Sequence, residues 1–210
     1  MNLPNHKIIK IKQLKEFVEL LGFETRNKYS IETEDGQSIG FAAEQGKGLL
    51  GILFRNVLGH WRTFEVHFFN SQRQLEFIAS HPFRWIFHRI DVSTSQNILI
   101  GSLQQRFGIL TKKFDILDAQ GNVIAEMRSG FLRLWTFPIK RNGNDYAFIT
   151  KKWGGLLKEM FLDADTFVLD YQDPSMPEST KKILLAAAIF VDLEYFEDKA
   201  GSRSKISLFD

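Results

Sequence analysis

Ile183-Leu184-Leu185-Ala186-Ala187-Ala188-Ile189-Phe190-Val191 is the longest wholly apolar run in the chain, and no helical angle gives it a polar face. A helix that is apolar on every side must be buried on every side. The run is about half the roughly 18–20 residues needed to span a bilayer, so it belongs inside a protein. Gln172-Asp173-Pro174-Ser175-Met176-Pro177 before it carries helix-start chemistry, and the pattern predicts a helix over 179–197. Its candidate buried positions are Ile183, Leu184, Ala187, Ile189, Phe190 and Val191, and the alanines keep it narrow. Asp192 interrupts the apolar surface. A lone buried carboxylate is costly, so Asp192 must face an opening or meet an Arg or Lys inside.

What encloses this helix is written upstream in period two. Tyr29–Thr33 and Ser38–Ala42 alternate around Glu34-Asp35-Gly36-Gln37, the pattern of a hairpin. The unit recurs at Phe64–Phe68 and Leu75–Ala79, at Arg84–Val92 and Ile98–Phe107, at Phe114–Leu117 and Val123–Met127, and at Phe137–Lys140 and Tyr146–Thr150. A last pair, Leu156–Phe161 and Thr166–Tyr171, surrounds Leu162–Asp165. Six hairpins make about twelve strands, an all-β count in which closure into an antiparallel barrel removes the exposed edges. The expected fold is therefore all-β with a central helix: a barrel closed around the C-terminal helix. The repeats differ in length, which argues against a solenoid or propeller. Ahead of the first hairpin, Ile8, Ile11, Leu14, Phe17 or Val18, and Leu21 recur at helical spacing, predicting an amphipathic helix over 8–21 that ends at Gly22.

Composition agrees with one folded domain over 1–210. Charged residues are 25% and hydrophobic ones 44%, with 20 phenylalanines that favour strands. A net charge of +2 gives no whole-molecule field toward nucleic acid, so no nucleic-acid partner is expected. The absence of cysteine excludes disulfides, thiolate metal sites and palmitoylation. Met1–Lys7 has no signal-peptide core, which suggests a cytoplasmic or peripheral-membrane protein.

Three separated stretches resemble the phospholipid scramblase family. Gly22-Phe23-Glu24-Thr25-Arg26-Asn27-Lys28-Tyr29, with Gly36-Gln37 and Phe41-Ala42-Ala43-Glu44, is similar to the opening of that domain. Lys152-Trp153-Gly154-Gly155-Leu156-Leu157-Lys158-Glu159, followed by Asp163-Ala164-Asp165-Thr166-Phe167, is similar to its distal segment, and Phe190–Glu197 to its C-terminal helix. The resemblance implies the fold shared with tubby C-terminal domains and LURP-one-related proteins. It also implies contact with phospholipid headgroups or a membrane surface, and movement of lipid between leaflets. The alternative is a soluble interaction or regulatory module that keeps the barrel without transport. Animal scramblases carry palmitate-accepting cysteine clusters; near those places this chain has Leu49–Phe54, Phe83–Phe87 and Phe131–Trp135.

Calcium is the one cofactor the resemblance implies, at Asp163 and Asp165. An EF-hand loop needs oxygen ligands at alternate positions, a Gly at 6 and a Glu at 12. Counting from Asp163 places Phe167, Val168 and Pro174 at positions 5, 6 and 12. The alternation from Thr166 to Tyr171 argues instead for a turn of solvated aspartates, with weak calcium binding as the alternative. Lys151-Lys152-Trp153, a neighbourhood discussed in the family as a nuclear-import signal, reads as a solvated strand end. The five histidines show no metal spacing, and His67 and His88 fall in predicted strands. No nucleophile–base order, phosphate loop or close carboxylate pair stands out, so no catalytic site is expected.

The links between hairpins carry the remaining signal. In an up-and-down array the turns share one rim and the links the other. The link rim would gather Leu49, Leu50, Leu53, Phe54, Phe83, Trp85 and Trp135, with Arg55, Arg84 and Arg133 among them. Aromatic and aliphatic residues beside arginine suit a membrane headgroup zone. The competing reading turns these side chains inward to seal the barrel, since Trp85 and Phe87 would then continue an alternating strand.

Overall fold

Strand alternation sorts this chain into an inner and an outer wall. The computed structural model describes residues 1, 3, 6–14, 27–45, 63–108, 111–129, 135–152 and 166–194. Twelve strands order themselves among these: β1 (Ile8–Gln13), β2 (Lys28–Thr33), β3 (Ser38–Glu44), β4 (Phe64–Asn70), β5 (Leu75–His81), β6 (Arg89–Thr94), β7 (Leu99–Arg106), β8 (Lys113–Asp118), β9 (Val123–Arg128), β10 (Thr136–Arg141), β11 (Asn144–Lys152) and β12 (Thr166–Tyr171). Each pairs antiparallel with its sequence neighbours, and β1 pairs with β12 to close the barrel. A single helix among the described residues, α1 (Glu178–Asp192), packs inside.

The turns explain why the strands reverse where they do. Asn142 and Gly143 both have positive φ, 50° and 82°, as a two-residue turn matched to strand twist requires. The other four hairpins share one longer turn. Its first residue, Thr33, Asn70, Thr94 or Asp118, donates its N–H to the carbonyl four residues on and accepts, through its own carbonyl, the N–H three residues on. Side-chain oxygens of the same four residues accept turn N–H groups. The third residue inside each turn is left-handed: Gly36, Arg73, Asn97 or Gly121. In every hairpin the register slips by one residue just beyond the turn. Such bulges add twist, and a closed barrel needs it.

Inward residues meet α1 on all sides. Ile9, Ile31, Phe68, Phe77, Val92, Leu103, Ile116, Met127, Ile139, Ile149 and Leu169 are fully buried, as is every helix residue from Ile183 to Val191. The helix comes so near β7 that a Cβ on Gly101 would lie 2.5 Å from Ile183 Cδ1 and against the Leu117 carbonyl. That glycine is where the wall yields to the helix.

Three expectations are corrected here. Residues 8–13 form β1, not the start of a helix: Ile9 and Ile11 point inward while Lys10 and Lys12 point outward. Residues 15–21, and 195–197 of the predicted central helix, lie outside the described residues. The second correction concerns β12, which pairs with β1 on one side and β11 on the other. These two strands take both its edges, while Leu156–Phe161, the expected hairpin partner, lies outside the described residues. The count of twelve survives because β1 takes that place. The third concerns β6, which begins at Arg89 and not Arg84; His88 lies just before it, while His67 is within β4.

Candidate functional site

Up-and-down order fixes two unlike rims. The five hairpin turns share one, through which the chain enters to start α1 after Tyr171. The links, together with the C-terminal end of α1, share the other. At this link rim β5 ends at His81, and the chain crosses through Pro82–Phe87 before β6.

That loop is apolar and turned outward. Trp85 and Ile86 are 70% and 74% exposed, Phe83 45% and Phe87 36%. Phe83 and Trp85 meet edge to face at 5.7 Å. Arg84 is exposed between them. On the same rim Phe107, beyond β7, is 72% exposed, and Trp135, ahead of β10, is 37% exposed. Of the two readings of the link residues, the inward-sealing one is overturned for Phe83, Trp85 and Phe87. That reading needs the expected strand Arg84–Val92 to run through Trp85 and Phe87, and no neighbouring strand pairs with residues 84–87. Leu49, Leu50, Leu53, Phe54, Arg55 and Arg133 lie outside the described residues, as do Asp163 and Asp165.

Beneath the apolar loop the barrel mouth is polar and paired. Lys151 is inward-facing and buried, its Nζ 3.2 Å from Asp192 Oδ1, and the Tyr29 hydroxyl donates to Asp192 Oδ2 at 3.0 Å. Asp192 therefore meets a cation inside, one of its two expected fates. The solvated strand end expected at Lys151 is a correction: Lys151 shares the parity of Ala147 and Ile149 and points inward with them. Its ammonium also lies 4.9 Å from the centre of the Phe167 ring. Along the same mouth the Gln13 amide donates to Asn27, whose own amide donates to Glu44 Oε2 at 2.7 Å.

A histidine pair anchors the loop at both feet. His81 Nε2 lies 3.0 Å from His88 Nδ1, and His88 Nε2 lies 3.1 Å from Glu194 Oε1. Both rings are 6.0 Å from the Phe190 ring of α1. The spacing of the histidines did not reveal this pair; the apolar loop between them is the signal that could have. No group of three acidic or histidine side chains among the described residues is disposed to hold a metal ion.

The opposite rim carries a groove of about 440 Å³ lined by Met1, His6, Gln37, Ser38, Ile39, Asn70, Ser71 and Gln72. Its polar side chains are amides, hydroxyls and one imidazole. Burial there acts on a deeper group, the Lys181 ammonium, which desolvation pushes below the usual lysine range. The Lys181 Nζ donates to the Leu3 carbonyl at 3.4 Å and sits 4.8 Å from the Tyr171 ring centre.

No helix among the described residues is long and apolar enough to cross a membrane. At about 1.5 Å per residue α1 would extend roughly 22 Å, short of a hydrocarbon core of about 30 Å. The arrangement is that of an amphipathic rim: hydrocarbon-compatible outside, charge-paired just within.

Comparison with known proteins adds what geometry leaves open. The family model described as Scramblase matches residues 2–198. A phospholipid scramblase family protein of Schizosaccharomyces pombe is 25% identical, over 92% of this chain and 60% of its own length. Human phospholipid scramblase 1 is 27% identical, over 94% of this chain and 65% of its own. The chain thus spans about three fifths to two thirds of the length of these relatives. An Arabidopsis thaliana protein solved by X-ray crystallography superposes with a TM-score of 0.51 at 11% identity, covering 90% of this chain and 96% of that one, a likeness of fold.

Proposed function

Because the chain belongs to the Scramblase family, we propose that it acts on phospholipid at a membrane surface, docking through its link rim. The exposed loop Phe83–Phe87 carries this reading, supported by its neighbours Phe107 and Trp135. Arg84, Arg106, Lys112 and Lys113 lie exposed beside these residues. Each basic side chain near an anionic leaflet contributes about 1 kcal/mol, a contribution that salt weakens. Inserted Trp, Ile and Phe side chains add an apolar part that salt does not weaken. Leu49, Leu50, Leu53, Phe54, Arg55 and Arg133 extend the proposed surface, since the strand ends flanking them open on the same rim. Asp163 and Asp165 stay proposed as a weak calcium site.

Lipid movement between leaflets asks more of the molecule. The barrel interior is filled by α1, so a headgroup has no passage through it unless the barrel opens or several chains assemble. Docking on one leaflet is the part the geometry favours. Its test is co-sedimentation with phosphatidylcholine vesicles, with and without phosphatidylserine, at low and high salt and with and without calcium. The expected result is preference for anionic vesicles, weakened but not abolished by salt. A Trp85→Ser, Ile86→Ser double variant should lose the salt-resistant part, with its stability within about 0.5 kcal/mol of the parent. A parent that never binds vesicles would favour the soluble interaction module instead.

A further inference from the structure

His81 and His88 hold the exposed loop at its two ends, and they hold each other. His81 closes β5, its ring stacked 4.8 Å from Phe64 of β4. The His88 backbone N–H donates to Gln105 Oε1 of β7 at 3.0 Å, and its carbonyl accepts from the Gln105 N–H at 2.8 Å. Both imidazoles are buried. Among the described residues, the charged group against the pair is Glu194, at the end of α1. Asp192 on the same helix faces Lys151 of β11 and Tyr29 of β2. Glu44 of β3 is engaged with Asn27. The other described neighbours of the pair, Phe64 of β4, Gln105 of β7 and Phe190 of α1, carry no charge.

The 3.0 Å contact between His81 Nε2 and His88 Nδ1 has room for one hydrogen. One nitrogen must donate and the other must be bare. With both rings neutral the condition is met, and His88 Nε2–H donates to the Glu194 carboxylate. One added proton also fits, since the resulting imidazolium still donates across the contact and its charge is balanced by Glu194. A second added proton sets two N–H groups against each other and two cations side by side, and the contact must open. We propose that this pair is an acid-sensitive clasp that regulates attachment of the Phe83–Phe87 loop to anionic phospholipid. The inference rests on the membrane reading above. Opening the clasp separates the loop from Phe190 and the end of α1 and adds positive charge at the rim, so acidification strengthens attachment.

The clasp and its consequence are tested separately, on the full chain. Histidine-ring NMR titration without lipid should show the His81 and His88 protons arriving in two steps, separated by more than about one pH unit. A single shared midpoint, independent of each other, overturns the clasp and needs no variant. Co-sedimentation with phosphatidylcholine–phosphatidylserine vesicles is then compared at about pH 7.5 and about pH 5, a range in which histidine changes charge. The parent should bind several-fold more at the lower pH, and His81→Gln should lose most of that rise. His67→Gln removes one histidine from the outer wall, away from the rim, and should keep it. An equal rise in His81→Gln overturns the regulatory role. If the parent binds at neither pH, the membrane reading fails and the regulation with it, while the ring titration still decides whether the clasp exists.

Discussion

Replacing Gly101 with Ala probes the contact on which the packed barrel depends. The new Cβ would stand 2.5 Å from Ile183 Cδ1 and still closer to the Leu117 carbonyl. Ordinary carbon contacts sit near 3.5–4.0 Å, so something must move by about 1 Å. Ile183 is fully buried and cannot swing into solvent. Its methyl can leave its rotamer for about 0.5–1.5 kcal/mol. The Leu117 carbonyl belongs to β8 backbone and can shift only with the strand. Overpacking of this kind costs about 1–3 kcal/mol, and we expect Gly101→Ala near the upper end. Ile183→Val removes the offending methyl and alone should cost about 0.5–1.5 kcal/mol. In the double variant the methyl clash is gone and the carbonyl clash remains. The double should therefore be more stable than the sum of the singles by about 1 kcal/mol, within the range for touching residues. Urea unfolding of parent, both singles and the double, with slopes compared to check for two-state behaviour, measures each quantity. Additivity within about 0.5 kcal/mol, or a Gly101→Ala variant as stable as the parent, would show that α1 does not press on β7 there.

Lys151→Met leaves the Asp192 carboxylate buried without its ammonium and should cost about 3–5 kcal/mol in denaturant unfolding, whereas Lys151→Met with Asp192→Leu should recover most of it. Arg73 is exposed and left-handed, at a φ of 62°. Arg73→Gly should stabilise by up to about 1 kcal/mol, the left-handed penalty less the flexibility glycine adds when unfolded, read by thermal melting. Asp118 has its carboxyl held below the usual carboxylate range by the Asn122 side chain and by turn N–H groups. A lowered folded value gives stability that is present above the unfolded value and lost as pH falls through the folded one. Asp118→Asn should therefore flatten the acid limb of melting temperature against pH below about 4.

What the sequence discloses and hides follows from the range of each interaction. The hairpins are legible because Asp35-Gly36 and Asn142-Gly143 reverse the chain within a few residues and their strands alternate on the spot. The central helix is legible because Ile183–Val191 has no solvent-tolerant face to offer. β1 misleads because Ile8-Ile9-Lys10-Ile11-Lys12-Gln13 suits both periods, and what decides is pairing with Val168 and Leu169, far along the chain. Lys151 looks like a surface lysine until the parity of Ala147 and Ile149 is carried two residues further. Trp85 and Phe87 extend a convincing alternation into a stretch with no partner strand. The His81–His88–Glu194 cluster spans more than a hundred residues, and only the folded barrel brings it together.

The seam between β1 and β12 has a consequence for how this molecule is made. As the chain leaves the ribosome, β2 through β11 can pair with their neighbours in order of synthesis. What emerges is a curved sheet whose concave side is lined with Phe68, Phe77, Leu103, Ile116 and Met127, all waiting for residues not yet translated. Its edge strand, β1, likewise waits for Thr166–Tyr171. The helix that fills the interior is made after all twelve strands. Every nascent chain therefore passes through a stage with an open edge and an apolar hollow, the condition that invites aggregation and chaperone capture. A chain cut short between Tyr171 and Glu178 would hold all twelve strands with nothing inside to keep them shut.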